Sequence, residues 1–147
     1  MKITRMRVNH LKEPLGFRLS STVFSWVVEE AEGKTATASR IVVTSDDATV
    51  ADTGWAQLDS LAASVDVPLK PRTRYEWTVA VRTDADEEAL SPVASFETGK
   101  MDELWSAQWI VCDGTESPRH PVFSRTITLA GRSSLRASTL AAWASMT

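Results

Sequence analysis

The sequence has little cysteine, little glycine and no long apolar run. Its single cysteine, Cys112, cannot form an intramolecular disulfide, which fits a reducing compartment, so we expect a cytoplasmic protein. No stretch approaches the roughly 20 apolar residues that span a bilayer, and the basic N-terminus lacks the apolar run of a signal peptide. The six glycines form no phosphate-binding loop. A disulfide scaffold, a membrane partner and nucleotide binding through such a loop are therefore not expected.

An excess of positive charge is also absent. The chain has 16 lysines and arginines against 19 acidic residues, a net charge of −3, and the two signs are interspersed. Because there is no basic stripe for phosphate groups, nucleic acid is not an expected partner. The length of 147 residues and the hydrophobic content of 43% are typical of one globular domain, or of one domain and a piece of another.

What the sequence does have is apolar alternation with a period of two. In RYEWTVAVRT, one face carries Tyr75, Trp77, Val79 and Val81, as a strand with one buried face requires. Turn signals such as EAEGK and PLKPRT separate the alternating segments, and only residues 46–51 suggest a helical turn. Six or seven short strands of this kind predict an all-β fold, a β-sandwich. The other apolar sets are Phe24, Trp26 and Val28, then Ile41 and Val43, then Val65 and Val67, and ITRMRV is a candidate edge strand.

The pattern changes after Gly99. We therefore predict a sandwich over residues 1–99, followed over residues 100–130 by a Trp-rich connector and the first strand of an incomplete second β-sandwich. A lone strand cannot bury its apolar face, so we expect Trp105, Trp109 and Phe123 to pack between domains. The same exposed apolar surface predicts self-association of the chain through residues 105–130.

The segment LKPRTRYEWTVAV has the form Leu-x-Pro-x-Thr-x-Tyr followed by alternation. It resembles the strand entry of a fibronectin type III domain, in which a tyrosine, here Tyr75, ties down a corner. The order of motifs over roughly residues 5–130 resembles the N-terminal region of bacterial α-L-rhamnosidases. These motifs are PLG, FSW, ASRIVVTS, ADTG, LKPRTRYEWTVAVRT, FETG, W-x-A-x-W-I and PVFSRTITL. This resemblance implies a fibronectin-like module, a connector and a second β-sandwich, with an (α/α)6 catalytic barrel several hundred residues further on.

The end of the chain departs from this resemblance. The family's second sandwich continues with a strand like ARLY and then GLG, which SLRASTLAAWASMT does not contain. If the coding sequence is read one base out of frame, the codons of Trp143 and Ala144 must encode a glycine, and those of Met146 and Thr147 must encode an aspartate. Both residues then fall where the family has them. We therefore expect residues 131–147 to be an out-of-frame or disordered tail. A stop after codon 147 in the coding DNA, with neither other frame open, would contradict the out-of-frame origin.

Candidate catalytic groups are sparse in the chain. The catalytic acids that the resemblance implies lie in the barrel, so no catalytic, cofactor-binding or metal-binding residue is assigned here and no cofactor is expected. Asp84, Asp86, Glu87 and Glu88 fall between two strands and indicate a solvated hairpin loop. A calcium site is the alternative, although the spacing lacks the glycine and distal glutamate of a calcium loop. Trp55, in a loop after ADTG, is the candidate for a carbohydrate contact, since sugars stack on exposed aromatic rings.

Three functions follow from these observations. The first is a non-catalytic accessory module of an α-L-rhamnosidase-like glycoside hydrolase, with the remaining domains of that parent hydrolase as its partners. The second is a free-standing carbohydrate-binding module that binds a rhamnoside through Trp55. The third is a protein-interaction sandwich that uses the W-x-A-x-W-I segment.

Overall fold

The computed structural model describes residues 1–110, 124 and 126, and the described residues contain nine strands and no helix. The strands are three to ten residues long, and there are nine where the alternating segments predicted six or seven. They are β1 Lys2–Val8, β2 Leu15–Phe17, β3 Thr22–Glu29, β4 Ala36–Ser45, β5 Ala48–Asp52, β6 Ala63–Val65, β7 Arg74–Thr83, β8 Glu88–Leu90 and β9 Ala94–Thr98.

The strands form two sheets. The first is antiparallel, with the order β1-β3-β6, so β1 is an edge strand as ITRMRV predicted. The second has the order β2-β9-β7-β4-β5, and β8 also pairs with β7. In this sheet β2 and β9 run parallel, whereas the other pairs are antiparallel. The arrangement is an immunoglobulin-like β-sandwich, which confirms the predicted fold class.

The core lies between β3 of the first sheet and β7 and β9 of the second. Phe24 is fully buried and meets the Trp77 ring edge to face, with ring centroids 4.7 Å apart and planes at 60°. Tyr75 and Phe96 stack at 5.0 Å. Such aromatic pairs contribute about 0.5–1.5 kcal/mol each beyond the burial of their area. Trp26 is also buried, so the predicted inward faces of β3 and β7 are both confirmed.

The predicted tyrosine corner is present before β7. The Tyr75 hydroxyl accepts a hydrogen bond from the Lys70 amide at 2.7 Å and donates one to the Pro68 carbonyl at 3.3 Å. The buried Thr98 hydroxyl of β9 donates to the Lys70 carbonyl at 2.6 Å and accepts from the Thr73 amide at 3.0 Å. These bonds satisfy buried polar groups and hold the loop before β7 against β9.

The helical turn predicted over residues 46–51 is wrong, because this segment forms a hairpin. Asp46 and Asp47 both have positive φ, at 49° and 62°, and Ser45 pairs directly with Ala48. A two-residue turn with positive φ at both positions matches the right-handed twist of paired strands, so β5 starts at once and returns along β4. Aspartate tolerates this conformation, but without a glycine the turn left only a weak signal in the sequence.

The strands all belong to a compact unit, Met1–Asp102, and a second unit begins at Glu103. In the second unit, the side chains of Trp105 and Trp109 are 51% and 75% exposed. Within the described part of the chain, no helix has the length and apolar character needed to cross a membrane.

Several predictions for the C-terminal part lie outside the described residues. Phe123 and residues 131–147 are among them, as is most of the segment 111–130. The second β-sandwich, the packing of Trp105, Trp109 and Phe123 between domains, and self-association through residues 105–130 therefore stay predictions.

Candidate functional site

The motif ADTG builds the turn that positions Trp55. Thr53 Oγ1 accepts a hydrogen bond from the Ile41 amide of β4 at 2.9 Å. Gly54 has a φ of 62°, which glycine adopts at little cost. Ala56 then pairs with β4 through two backbone hydrogen bonds. These bonds hold the loop along β4, so that Trp55 reaches across this strand toward β7.

A bidentate ion pair fixes the same turn. Arg40 Nε donates a hydrogen bond to Asp52 Oδ1 at 2.9 Å, and Arg40 Nη2 donates one to Asp52 Oδ2 at 2.5 Å. The Gly54 amide donates a third hydrogen bond, to Asp52 Oδ1 at 2.9 Å. The Arg40 hydrogen bond and the Gly54 amide lower the pKa of Asp52 to about 2, because both favour the carboxylate. Since both side chains are partly exposed to solvent, the pair orients the turn more than it stabilises the fold.

Acid should weaken the contribution of this ion pair to stability. The folded pKa of Asp52, about 2, lies below the ordinary value of 3.8, so the contribution is complete above 3.8 and is lost as the pH falls through about 2. The difference in urea midpoint between wild type and Asp52→Asn should therefore be constant above about pH 5 and shrink toward pH 2. Arg40→Gln should behave in the same way. A difference in urea midpoint that does not change between about pH 5 and about pH 2 would contradict a stabilising role for the ionised Asp52 carboxylate.

Trp55 stacks against an arginine. The Arg82 guanidinium carbon of β7 lies 3.9 Å from the centroid of the Trp55 ring, which is half-buried. Arg82 Nε also donates to Glu88 Oε2 of β8 at 2.8 Å, and this bond holds the guanidinium over the ring. A cation–π contact of this kind contributes about 0.5–1 kcal/mol at an exposed site. Arg82 thus covers one face of the ring predicted to contact carbohydrate, and that contact stays a prediction.

A polar cavity of about 300 Å³ is formed by the β7–β8 hairpin and by β4. This volume is at the small end of the range for ligand pockets. Guanidinium and carboxylate groups offer donors and acceptors that suit hydroxyl groups. The lining residues are Thr37, Arg82, Thr83, Asp86, Glu87 and Glu88.

Two acids of the hairpin bind backbone amides of the loop between β3 and β4. Glu87 Oε2 accepts hydrogen bonds from the Glu32 and Gly33 amides, both at 3.0 Å, and from Thr83 Oγ1 at 3.1 Å. The Gly33 amide makes the largest contribution to lowering the pKa of Glu87 below its usual range, although burial opposes it. Asp84 Oδ1 accepts hydrogen bonds from two further amides of this loop, those of Lys34 at 2.8 Å and Thr35 at 3.2 Å.

The predicted hairpin at these acids is therefore confirmed, but two of its carboxylates are engaged by the protein and are not simply solvated. The sequence offered no sign of this role, because the amides come from a loop about 50 residues earlier in the chain. Among residues 1–110, 124 and 126, no group of three His, Cys, Asp or Glu side chains is arranged to hold a metal ion.

Residues 3–102 match the family described as "Rha78A-like, N-terminal immunoglobulin domain". The match covers more than half of the 147 residues. The chain belongs to this family. Membership confirms the resemblance to the N-terminal region of α-L-rhamnosidases, and the matched residues coincide closely with the unit Met1–Asp102. We refer to residues 3–102 as the immunoglobulin domain.

The immunoglobulin domain has relatives of known structure. The α-L-rhamnosidase of Streptomyces avermitilis is 34% identical over an alignment of 131 residues, and the match covers 80% of this chain and 13% of that protein. A crystal structure of that organism's α-L-rhamnosidase complexed with L-rhamnose has a TM-score of 0.67 at 32% identity, covering 75% of this chain and 12% of the other. The structure of the α-L-rhamnosidase from Dictyoglumus thermophilum has a TM-score of 0.62 at 27% identity. This match covers 70% of this chain and 13% of the other.

The chain spans about an eighth of the length of these relatives. The part that matches is the N-terminal immunoglobulin domain and not the catalytic region.

Proposed function

We propose that the immunoglobulin domain is a non-catalytic accessory module of an α-L-rhamnosidase-like glycoside hydrolase and packs against other domains of that enzyme. The observation that carries the proposal is the match of residues 3–102 to a family of N-terminal immunoglobulin domains. In the relatives, the corresponding region is about an eighth of an α-L-rhamnosidase. A module of this size keeps a fixed place in a large enzyme only by sharing surface with its neighbours.

The chemistry of the candidate site supports an accessory role. Glycoside hydrolysis commonly needs two carboxyl groups that flank the scissile bond and exchange protons with the substrate and water. Here Asp52 pairs with Arg40, Glu88 pairs with Arg82, and Glu87 binds backbone amides. These contacts direct the carboxylates toward the chain's own atoms.

Two measurements test the proposal. The purified chain is expected to release no rhamnose from an aryl α-L-rhamnoside under conditions in which the Streptomyces avermitilis enzyme does. Deleting the immunoglobulin domain from that enzyme is expected to lower its midpoint of thermal unfolding by a few degrees while the folded remainder keeps its turnover. Rhamnose release that rises with the concentration of repurified chain would overturn the non-catalytic assignment. An unchanged midpoint after deletion would overturn the packing role.

A second candidate function is carbohydrate binding at Trp55. The observation that favours it is the contact between the half-buried Trp55 ring and Arg82. Arg82 also lines the polar cavity. Titration of the chain with L-rhamnose should then quench tryptophan fluorescence saturably. The quenching should disappear in Trp55→Ala and persist in the control variant Trp109→Ala, because Trp109 is also exposed, at 75%, but lies far from Trp55 in the sequence. Equal quenching in both variants, or none in the wild type, would exclude this site.

A further inference from the structure

The chain leaves the immunoglobulin domain beside β2. After β9 ends at Thr98, the Gly99 amide donates a hydrogen bond to the Phe17 carbonyl at 2.7 Å. Arg18 Nη2 and Nε then donate hydrogen bonds to Asp102 Oδ1, at 2.8 and 3.2 Å. The last residues of the domain are therefore held against the end of β2, and the polypeptide continues from this point of the surface.

The strand beside this exit is an apolar edge. Among the described strands β2 pairs with β9 alone, and its Leu15 and Phe17 side chains are 64% and 49% exposed. At the opposite edge of the sheet, the exposed residues of β5 are an alanine, a threonine and an aspartate. Edge strands are usually charged or covered, because exposed apolar edges promote association. Of these two edges, the one with large apolar side chains is thus the one next to the exit.

A cavity of about 520 Å³ opens at the same end of the sandwich. Its lining includes Arg18, Met101 and Asp102 from the exit, together with residues 19–22 and 64–67. The end of the domain therefore combines a concave surface, exposed apolar side chains and an ion pair. An apolar centre with a polar rim is the usual composition of a protein–protein interface.

We infer that β2 with Arg18 and Asp102, here called the exit surface, docks the domain that follows the immunoglobulin domain in an α-L-rhamnosidase-like hydrolase. This inference rests on the proposed function. The family is an N-terminal domain and the relatives are about eight times longer than the matched region, so most of their chain follows from this exit. Burying Leu15 and Phe17 against that domain removes apolar area from water.

Hydroxyl-radical footprinting of side chains tests the inference. The probe is a hybrid in which residues 1–102 replace the immunoglobulin domain of the Streptomyces avermitilis α-L-rhamnosidase, compared with the 147-residue chain alone. The oxidation rates of Leu15 and Phe17 are expected to fall about threefold or more in the hybrid, because side chains at the centre of an interface lose contact with water. Leu90 of β8, which is 67% exposed at the far end of β7, is the internal control and should keep its rate.

Two variants of the hybrid sharpen the test. Phe17→Ser removes one anchor of the exit surface, so Leu15 should return toward its rate in the free chain. Leu90→Ser is the matched exposed substitution and should leave Leu15 protected.

The outcomes separate the inference from the proposed function. If Leu15 and Phe17 keep their rates in the hybrid while another surface of the domain becomes protected, the exit surface is wrong and the packing role stands. If no surface of the domain is protected, both the exit surface and the packing role fail. Protection of Leu15 that persists in the Phe17→Ser hybrid also overturns the exit surface, since the strand is then covered without using its apolar anchor.

Discussion

Replacing Phe24 with alanine is expected to lower the free energy of unfolding by about 3–5 kcal/mol. Phe24 is completely buried between the two sheets, with the Trp77 ring at 4.7 Å and the Phe96 ring at 6.2 Å. Removing the ring deletes its transfer free energy and leaves a cavity that β3, β7 and β9 cannot close without breaking their pairing. Because domains of this size are stable by about 5–15 kcal/mol, the loss is a large fraction of the total.

Urea unfolding followed by circular dichroism measures this loss. The control is Phe17→Ala, which removes the same atoms from a side chain that is 49% exposed on β2. It should change the free energy of unfolding by no more than about 0.5 kcal/mol. Phe24→Leu, which keeps most of the buried volume, should fall between the two. Equal losses for the two alanine variants would mean that Phe24 is not at the centre of the core.

Replacing Gly99 with alanine is expected to cost about 1–3 kcal/mol, as overpacking does. A Cβ atom at this position would press on the Gly16 carbonyl oxygen and lie 3.4 Å from the Phe17 carbonyl carbon. These are backbone atoms, so no side-chain rotation relieves the contact. The strands β2 and β9 would have to separate, and the 2.7 Å hydrogen bond from the Gly99 amide to the Phe17 carbonyl would weaken.

Thermal and urea unfolding of Gly99→Ala measure this effect. Leu15→Ala lies on β2, the strand that a Gly99 methyl group would displace, but it truncates a side chain that is 64% exposed, so its midpoint should stay close to that of the wild type. Footprinting adds a structural readout, since a displaced β2 should raise the oxidation rate of Phe17 in Gly99→Ala. A variant with the wild-type midpoint and an unchanged Phe17 rate would show that β2 accommodates the methyl group.

Much of the sandwich could be predicted from sequence because a strand with one buried face repeats every two residues. Tyr75, Trp77, Val79 and Val81 reveal their common face without any knowledge of their partners. The tyrosine corner was accessible through the resemblance of LKPRTRYEWTVAV to a fibronectin type III strand entry, and its loop and the Tyr75 hydroxyl lie within seven residues of each other. The β4–β5 hairpin was missed, since Asp46 and Asp47 form its turn without the glycine that usually marks one.

The candidate site was far less accessible from sequence. Trp55 was singled out correctly as a loop residue, but the Arg82 guanidinium that stacks on it lies 27 residues later in the sequence and on another strand. Similarly, the hairpin acids suggested a solvated loop, whereas Glu87 binds amides of a loop 54 or more residues earlier. Such pairs form only when the order of strands in the sheet brings distant segments together.

By itself the sequence determined which side chains face the core, where the strand-rich unit lies and which family it belongs to, because alternation and motif order are local properties of the chain. Only the tertiary structure decided that Arg82 covers Trp55, that Glu87 ties two loops together, and that the exit at Asp102 lies against the apolar edge of β2. Each of these contacts joins residues far apart in sequence. Their geometry therefore depends on sheet order, register and close backbone approach, which no short stretch of residues encodes.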